Sequence, residues 1–417
     1  MKTPFAPRLF LPLLGLALTS SLSAQVAAPE GTAAPDPNTV PAQNQAAREF
    51  QTVSEGPWGH LEYYHVPLEF PPEHLSTLTV PSQYVEWIFE AATHEEMDSD
   101  LAAAGLTRDE ITSLFYGCTI IQDEDVLRVY PRDETILTMS ITTRTKLYQL
   151  LSQYKQNRFH RRPVYINTQN LSQWFRGSGV GRDAITDVAQ LAYPTPNGQG
   201  FYLSDVAYTL RRATTALEER ELLQGLLRST GLMVRLRLNR ESLTPGIGEY
   251  WTAAYKNKAV MPLLESIVAQ NDGSTIDIAH LIPPIPRQFL NQFPETQDAA
   301  DGRLPDWFWT CFNFFRSSPR QVYADSPERD RLILKEFEPA LPPSQFGDML
   351  VLNSGGRIIH GCIHIAADIV YTKNGADIFS PWMLMKIQDV VGYHDVLGDV
   401  TISTFRKRAP APVVPLQ

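Results

Sequence analysis

The sequence predicts an α+β protein with a mainly helical N-terminal and middle region, followed by a C-terminal region in which a helix packs on an antiparallel sheet. Residues 107–115 place a capping box ahead of apolar residues at i, i+3 and i+4 spacing, which is typical of a short amphipathic helix. Residues 232–238 alternate apolar and polar side chains, as a half-buried strand does. Residues 347–375 contain apolar strand patterns separated by glycine-containing turns.

The middle region contains further segments with helical patterns. Leu147, Leu150, Leu151 and Tyr154 repeat the helical spacing, and we predict another helix over Leu217 to Leu227. The glycine-rich residues 176–181 are not preceded by an apolar strand or followed by a lysine-serine or lysine-threonine ending, so they do not match a nucleotide-binding loop. We predict that they form a helix stop and a turn.

The N-terminus has the pattern of a secretory signal peptide. Lys2 and Arg8 flank the start of an apolar run at residues 9–18, and small residues follow. This run is about half of the length that a bilayer-spanning helix needs. We expect cleavage after Ser23 or Ala24. The mature protein is then expected to be secreted or periplasmic, without a membrane span.

The composition disfavours several function classes. The 417 residues carry 36 lysines and arginines against 46 acids, a net charge of -10, and cleavage of the leader would lower this charge to -12. A broad basic face for nucleic acid is therefore not expected. Three cysteines, Cys118, Cys311 and Cys362, are too few and too scattered for a disulfide scaffold or a four-cysteine zinc module. We expect no cofactor, and the oligomeric state is left open.

Composition and pattern divide the chain into five predicted parts. The boundary before the last ordered part lies in the small, polar, turn-rich residues that follow residue 295. The parts are a signal peptide at 1–24, a disordered linker at 25–57, a mixed, mainly helical domain at 58–295, a C-terminal domain at 296–405 and a disordered tail at 406–417.

The predicted C-terminal domain begins with an aromatic helix. Asp306 is placed to cap a buried helix that extends to Phe315. Two strands joined by a Gly-rich turn are predicted at 347–352 and 358–365, and a third at 368–375 ends in an Asn-Gly turn.

This order of helix, Gly-Asp-apolar strand and histidine-bearing strand resembles the NlpC-type cell-wall endopeptidases, which are small papain-like cysteine peptidases. Gly347-Asp348 and His360-Gly361-Cys362-Ile363 carry the resemblance, which covers about the last quarter of the chain. The chain also looks like a group of uncharacterised exported bacterial proteins. The residues that match this group are Asp306, Trp309, Thr310, Asn313, Phe314 and Phe315.

The resemblance implies a set of site residues, with one departure. The position of the nucleophilic cysteine falls on Trp307, and a histidine position of the exported group falls on Phe308. Cys311, one helical turn later, is the remaining upstream thiol. If the domain is active, the resemblance implies that Cys311 is the nucleophile, with His360 as its base and Asn374 as the orienting residue.

The resemblance leaves two function classes open. In the favoured one, a degenerate papain-like groove recognises a cell-wall peptide or another exported protein, with Trp307, Phe308, Asp348 and Thr372 as the binding residues. In the other, an active endopeptidase or amidase hydrolyses amide bonds of cell-wall peptides.

Papain-like packing would also place Cys311 and Cys362 near each other, which makes a disulfide between them an expectation. A zinc site on His360, Cys362 and His364 is less favoured than an ordinary buried strand, and no metal site is predicted.

Overall fold

Helices and antiparallel sheets are both present along the chain, and the α+β prediction is confirmed. The computed structural model describes residues 50–77, 84–253, 256–270, 274–323 and 328–408. The predicted signal peptide lies outside the described residues, as do residues 25–49 of the predicted linker and 409–417 of the predicted tail. The described residues belong to one compact unit, Glu49–Gln417.

The described strands range from two to ten residues in length. They are β1 (Gln51–Thr52), β2 (His60–Leu68), β3 (Trp87–Phe89), β4 (Thr119–Asp123), β5 (Val126–Tyr130), β6 (Val164–Ile166), β7 (Tyr193–Pro194), β8 (Phe201–Leu203), β9 (Ser229–Leu238), β10 (Ser274–Asp277), β11 (Phe337–Pro339), β12 (Met349–Ser354), β13 (Arg357–Ala366), β14 (Ile369–Lys373), β15 (Trp382–Lys386) and β16 (Thr401–Lys407).

The described helices are concentrated between β3 and β12. They are α1 (His94–Ala103), α2 (Arg108–Phe115), α3 (Asp133–Thr138), α4 (Ile141–Leu151), α5 (Arg158–Arg161), α6 (Leu171–Trp174), α7 (Arg182–Leu191), α8 (Val206–Arg211), α9 (Ala216–Leu226), α10 (Pro245–Thr252), α11 (Val260–Gln270), α12 (Pro284–Phe289), α13 (Thr296–Ala300), α14 (Trp307–Asn313), α15 (Arg329–Glu336) and α16 (Ile387–His394). Three 3-10 helices lie at Pro72–Thr77, Ile278–His280 and Asp395–Leu397.

The described strands form four antiparallel sheets. The largest has the order β11-β16-β12-β13-β14-β15, and a second has the order β1-β2-β9-β10. Two three-stranded sheets, β3-β5-β4 and β6-β8-β7, lie in the middle region. The predicted strands at 232–238, 347–352, 358–365 and 368–375 are confirmed as β9, β12, β13 and β14.

Local signals predicted several helices correctly. Thr107 and Glu110 form the reciprocal capping box at the start of α2. The helix predicted over Leu217 to Leu227 is α9. Asp306 is the N-cap of α14, because its carboxylate accepts a hydrogen bond from the backbone N–H of Trp309. Among the described helices, none has both the length and the hydrophobicity needed to span a bilayer.

The main core crosses the predicted domain boundary near residue 295. Leu236 and Trp251 from the middle region share one cluster of buried side chains with Phe308, Met349 and Tyr371. The change in sequence character after residue 295 therefore marks a change in local pattern within one compact unit.

Both predicted disordered ends include ordered residues. β1 lies inside the predicted linker, and it pairs with β2 through Gln51↔Tyr63 and Thr52↔Glu62. β16 extends two residues into the predicted tail, where Arg406 and Lys407 pair with Glu338 and Phe337 of β11. The linker and tail predictions are thus too long by these residues.

The two faces of the largest sheet are covered by different helices. Gly361, Ile363 and Tyr371 lie on the face that packs against α14. Cys362 and Val370 lie on the opposite face, in a separate buried cluster that includes α16. Because side chains alternate along a strand, neighbouring residues of β13 project to opposite faces.

Candidate functional site

The cap and first turn of α14 are fixed by polar contacts. The N–H of Trp309 donates to Oδ1 of Asp306 at 2.8 Å, and Oγ1 of Thr310 donates to the Asp306 carbonyl at 2.8 Å. Nε1 of Trp382 in turn donates to Oγ1 of Thr310 at 2.9 Å. These bonds tie the helix to strand β15 and fix the position of its first residue, Trp307.

Trp307 is the residue to which the sequence resemblance assigns the nucleophile position. It is packed against Gly361 so closely that a Cβ atom added there would lie 2.6 Å from Cε3 of the indole. Trp307 is 8% exposed and Phe308 is fully buried. Both act as core side chains in this structure, and their substrate-binding role stays a prediction.

His360 lies on the opposite face of the sheet from α14. It projects on the same side as Cys362, toward α16, where its ring stacks on His394 with a centroid distance of 4.3 Å. Its ring centroid lies 6.2 Å from that of Trp307. The alternation along β13 thus turns the predicted base away from the helix that carries the predicted nucleophile.

His360, Thr372 and Asn374 do come together, as a buried chain of hydrogen bonds. Nε2 of His360 lies 2.9 Å from Oγ1 of Thr372, which donates to Oδ1 of Asn374 at 2.8 Å. Because the single hydroxyl proton of Thr372 is used by Asn374, Nε2 of His360 must be the donor. Asn374 therefore orients His360 only through Thr372. Because Nε2 already carries a proton, it cannot accept one from a nucleophile.

Burial lowers the pKa of His360 well below its usual value, and the nearby His394 and Lys373 lower it further. Burial likewise lowers the pKa of His394 to about 4. Both imidazoles are consequently neutral at physiological pH; His360 is buried and His394 is half-buried. The arrangement is that of a packed polar cluster.

Cys311 is buried on the α14 side of the sheet, in the same cluster as Tyr371. Burial raises the pKa of its thiol well above the usual value, and the nearby Cys362 and Asp306 raise it further. The predicted pair of Cys311 and His360 is not formed, because the sheet separates them. A thiolate, which nucleophilic catalysis requires, is disfavoured at Cys311.

The expected disulfide is also not formed. Cys311 and Cys362 are both free thiols, as is Cys118. Cys362 lies two residues after His360 and shares its face, so it belongs to the cluster next to α16, whereas Cys311 lies in α14 on the other face of the sheet.

The remaining predicted binding residues have structural contacts. Asp348 forms a bidentate ion pair with Arg406 at 2.8 and 2.9 Å and also accepts from the N–H of Gln345. Thr372 is fully buried. His364 follows His360 and Cys362 on the same face, and no group of three or more potential metal ligands occurs within the described part of the chain.

An open groove outside the predicted site has a different character. It has a volume of about 420 Å³ and lies where the end of β2, the 3-10 helix after it and the segment following α12 meet. Its lining residues are Pro67, Leu68, Glu69, Pro71, Glu73, His74, Asn291, Gln292, Phe293 and Glu295.

The groove is acidic. Glu69, Glu73 and Glu295 are exposed along it. Glu69 is paired with Arg228 at 2.5 Å. Next to Glu295, burial and the like charges of Glu295 and Asp301 raise the pKa of Asp298. No lysine or arginine is among the lining residues of the described groove, so a positively charged group would be attracted to it.

Aromatic rings support one wall of the groove. The buried Phe70 ring contacts His74, Phe293 and Phe379 at centroid distances of 5.4 to 5.8 Å. The other wall is joined to the large sheet: the N–H of Asn291 donates to the Trp382 carbonyl at 2.7 Å, and the N–H of Trp382 donates to the Gln292 carbonyl at 3.0 Å. One wall of the groove is therefore supported by packed rings and the other by backbone hydrogen bonds.

Sequence reasoning missed this groove. His74 looked like an ordinary surface or core histidine among prolines and aromatics, and Glu295 marked only the end of a domain. The two residues are more than 200 positions apart, and no local pattern joins them. The acidic residues around 295–301 were the one available signal.

Known proteins provide no further assignment. No family model matches the chain, and no curated protein or solved structure matches it.

Proposed function

We propose that this chain is an exported, non-catalytic binding protein with a degenerate NlpC-like C-terminal region. Its ligand is a peptide that presents a cationic group, in the first place a cell-wall stem peptide with a free amine. A lysine- or arginine-bearing segment of another exported protein is the second candidate. The acidic groove that contains Glu73 and Glu295 is the observation that carries this proposal.

The groove has the features of a small binding site for a peptide. Its volume of about 420 Å³ is within the range of ligand pockets, about 300–1,000 Å³. Phe293 offers a half-buried apolar surface, and the exposed glutamates offer acceptors for an ammonium group. Proline-containing walls limit the number of backbone donors that the groove presents to an extended peptide.

The buried cluster around His360 supports a binding role over a peptidase. A peptide bond cannot approach Cys311, which is 3% exposed, without opening the core under α14. The helix on an antiparallel sheet and the Asp306 cap remain in keeping with a papain-like ancestry. In this proposal, those positions stabilise the domain and the groove binds the ligand.

Export is part of the proposal and rests on the leader pattern at residues 1–24. A secreted or periplasmic location would give the protein access to cell-wall peptides. The net charge of -12 expected after cleavage is compatible with a cationic ligand and unfavourable for nucleic acid.

Calorimetric titration of the mature chain with stem peptides tests the binding. We expect a peptide with a free side-chain amine to bind more tightly than the same peptide with that side-chain amine acetylated. Glu73→Gln and Glu295→Gln should each weaken binding by about 3- to 10-fold, as loss of one charge-assisted contact does. Glu55→Gln removes the same charge from an exposed residue outside the groove and is the matched control. Equal affinities for the two peptides, or equal losses in all three variants, would contradict the proposal.

A second experiment addresses the peptidase alternative directly. The mature chain is incubated with peptidoglycan and its stem peptides, and the products are followed by mass spectrometry. We expect no cleavage by the native chain or by Cys311→Ser. Cleavage by the native chain that is lost in Cys311→Ser would overturn the non-catalytic assignment.

A further inference from the structure

Four cationic side chains gather beyond the C-terminal end of α14: Lys256, Arg316, Arg320 and Lys407. Nη2 of Arg316 bonds Oε2 of Glu336 at 2.9 Å, and Nη1 of Arg320 bonds Oε1 of the same carboxylate at 3.0 Å. Nζ of Lys256 lies 3.5 Å from the carbonyl of Lys407. We call these four residues the cationic cluster.

Aromatic rings position three members of the cluster. The guanidinium groups of Arg316 and Arg320 lie 5.6 and 5.9 Å from the centroid of Phe312. Nζ of Lys256 lies 5.6 Å from the centroid of Phe315. Contacts of this kind hold a cation over a ring face and leave its other donors directed away from the ring.

Charge in the cluster is incompletely neutralised. Glu336 is the carboxylate that bonds Arg316 and Arg320, while the neighbouring Arg406 and Arg408 are paired with Asp348 and Glu338. Asp348 also attracts Lys256, although Arg406 engages both of its oxygens. The single negative charge of Glu336 thus neutralises only one of the four cations, which leaves about three positive charges in the cluster.

The pKa of Lys407 reflects the repulsion between the cations of the cluster. Burial lowers the pKa of its ammonium group, and the like charges of Arg316, Lys256 and Arg320 lower it further, against the attraction of Glu336. A protein with a net charge of -10 keeps these cations together although they repel one another. A bound anion would relieve this repulsion.

We infer that the cationic cluster binds a phosphate-bearing anion. A polyvalent anion can neutralise about three positive charges, whereas a single carboxylate neutralises only one. Nη2 of Arg316 bonds both oxygens of Glu336, and Nη1 of Arg320 bonds one of them, so the two guanidinium groups already converge on one anionic group, as they would on a phosphate. Four cations form a local site and are far fewer than a broad nucleic-acid face would use.

Pyrophosphate is the probe for a free phosphate ligand, and calorimetric titration of the mature chain at low salt measures its binding. We expect Lys256→Gln and Lys407→Gln each to weaken binding by about 3- to 10-fold, and added NaCl to weaken it in the native chain. Lys155→Gln removes the same charge from an exposed residue of the middle region and should bind like the native chain. Because Lys256 is exposed, its substitution should leave folding intact, which circular dichroism checks.

Sedimentation with phosphatidylcholine vesicles, with and without phosphatidic acid, tests a lipid source of the same phosphate chemistry. The inference is supported if the chain binds either phosphate source and if this binding weakens in Lys256→Gln and Lys407→Gln but not in Lys155→Gln. Absence of binding to both sources at low salt would overturn it. Equal losses in all three variants would overturn it as well. The acidic groove is not involved, so the two binding experiments succeed or fail independently.

Discussion

Gly361 is the residue that allows an indole to sit at the start of α14. Any larger side chain at this position would need space that Trp307 already fills. Alanine is the smallest such change, and its Cβ would lie 2.6 Å from Cε3 of Trp307. The contact between these two residues therefore decides how α14 docks on β13.

Replacing Gly361 with alanine should destabilise the protein by about 1–3 kcal/mol, the usual cost of overpacking a core. Urea unfolding, followed by circular dichroism, measures the change. Gly246→Ala is the matched control, because the nearest atom to the added Cβ in α10 is 3.8 Å away. This control should be neutral or slightly stabilising, since alanine favours a helix. Equal stabilities of the two variants would contradict the close packing.

Histidines whose pKa values are lowered predict that stability falls in acid. The pKa of His394 is lowered to about 4, below the value of about 6.5 in the unfolded chain, so the unfolded state binds more protons between these pH values. Stability is therefore full above pH 6.5 and is lost as the pH falls toward 4, by at most about 3 kcal/mol for this residue. His364, with a pKa lowered to about 4 by burial, acts in the same direction. Asp205, whose pKa burial raises to about 6, opposes it.

His394→Phe isolates one part of this dependence. Phenylalanine keeps a ring against His360 but does not titrate, so unfolding free energy should fall less steeply between pH 6.5 and 4 than in the native chain. Urea titrations at several pH values measure the slope. His94→Gln removes an exposed histidine and should leave the slope unchanged. A native slope in His394→Phe would show that this imidazole is protonated in the folded state.

At the scale of elements, sequence prediction succeeded where the determinants are local. The Asp306 cap and the strands β12, β13 and β14 follow from short patterns of capping and turn residues. The face of the sheet on which each β13 side chain lies could not be predicted, because it depends on how β13 packs between α14 and α16. The irregular pairing between Leu352 and Asn353 adds a residue on the β13 side, which no short pattern indicated. His360 and Cys311 were consequently assigned to one site although they belong to opposite faces.

The cap of α14 gives a prediction at this scale. Asp306→Ala removes the acceptor for the N–H of Trp309 and should cost about 1–2 kcal/mol. Asp306→Asn retains an acceptor but removes the charge that also attracts the buried Lys373, so it should cost less. Urea unfolding of both variants measures the difference. A larger loss in the asparagine variant would assign the main role to the charge.

At the scale of the whole molecule, one core joins the middle and C-terminal regions. The Trp251 ring lies 5.3 Å from that of Phe346, and Oη of Tyr250 donates to the carbonyl of Ile365 at 2.7 Å. The hydroxyl of Tyr202 in β8 also lies within hydrogen-bond distance of the Gly392 carbonyl and the Asp395 carboxylate. Sequence composition could not reveal this sharing, because such contacts join residues that are far apart in the chain.

A fragment of residues 296–417 should therefore fail to fold by itself. It would expose Phe346 and the other side chains that the middle region covers, and it would lose their hydrophobic stabilisation. An amide NMR spectrum of the fragment is expected to show the narrow dispersion of an unfolded chain. The chain from residue 49 is the control and should give a dispersed spectrum. A dispersed spectrum of the fragment would show that the boundary near residue 295 separates two independent domains.

Because backbone hydrogen bonds link the groove to Trp382, the intrinsic fluorescence of this tryptophan should report ligand binding. The peptide groups of Asn291 and Gln292 are hydrogen-bonded to that of Trp382, whose indole is buried against Phe289 and Trp309. A ligand that shifts the groove wall would alter the surroundings of this indole and hence its emission wavelength and quenching. Occupancy could then be followed without a dye, and a Trp382→Phe variant would identify the responding fluorophore.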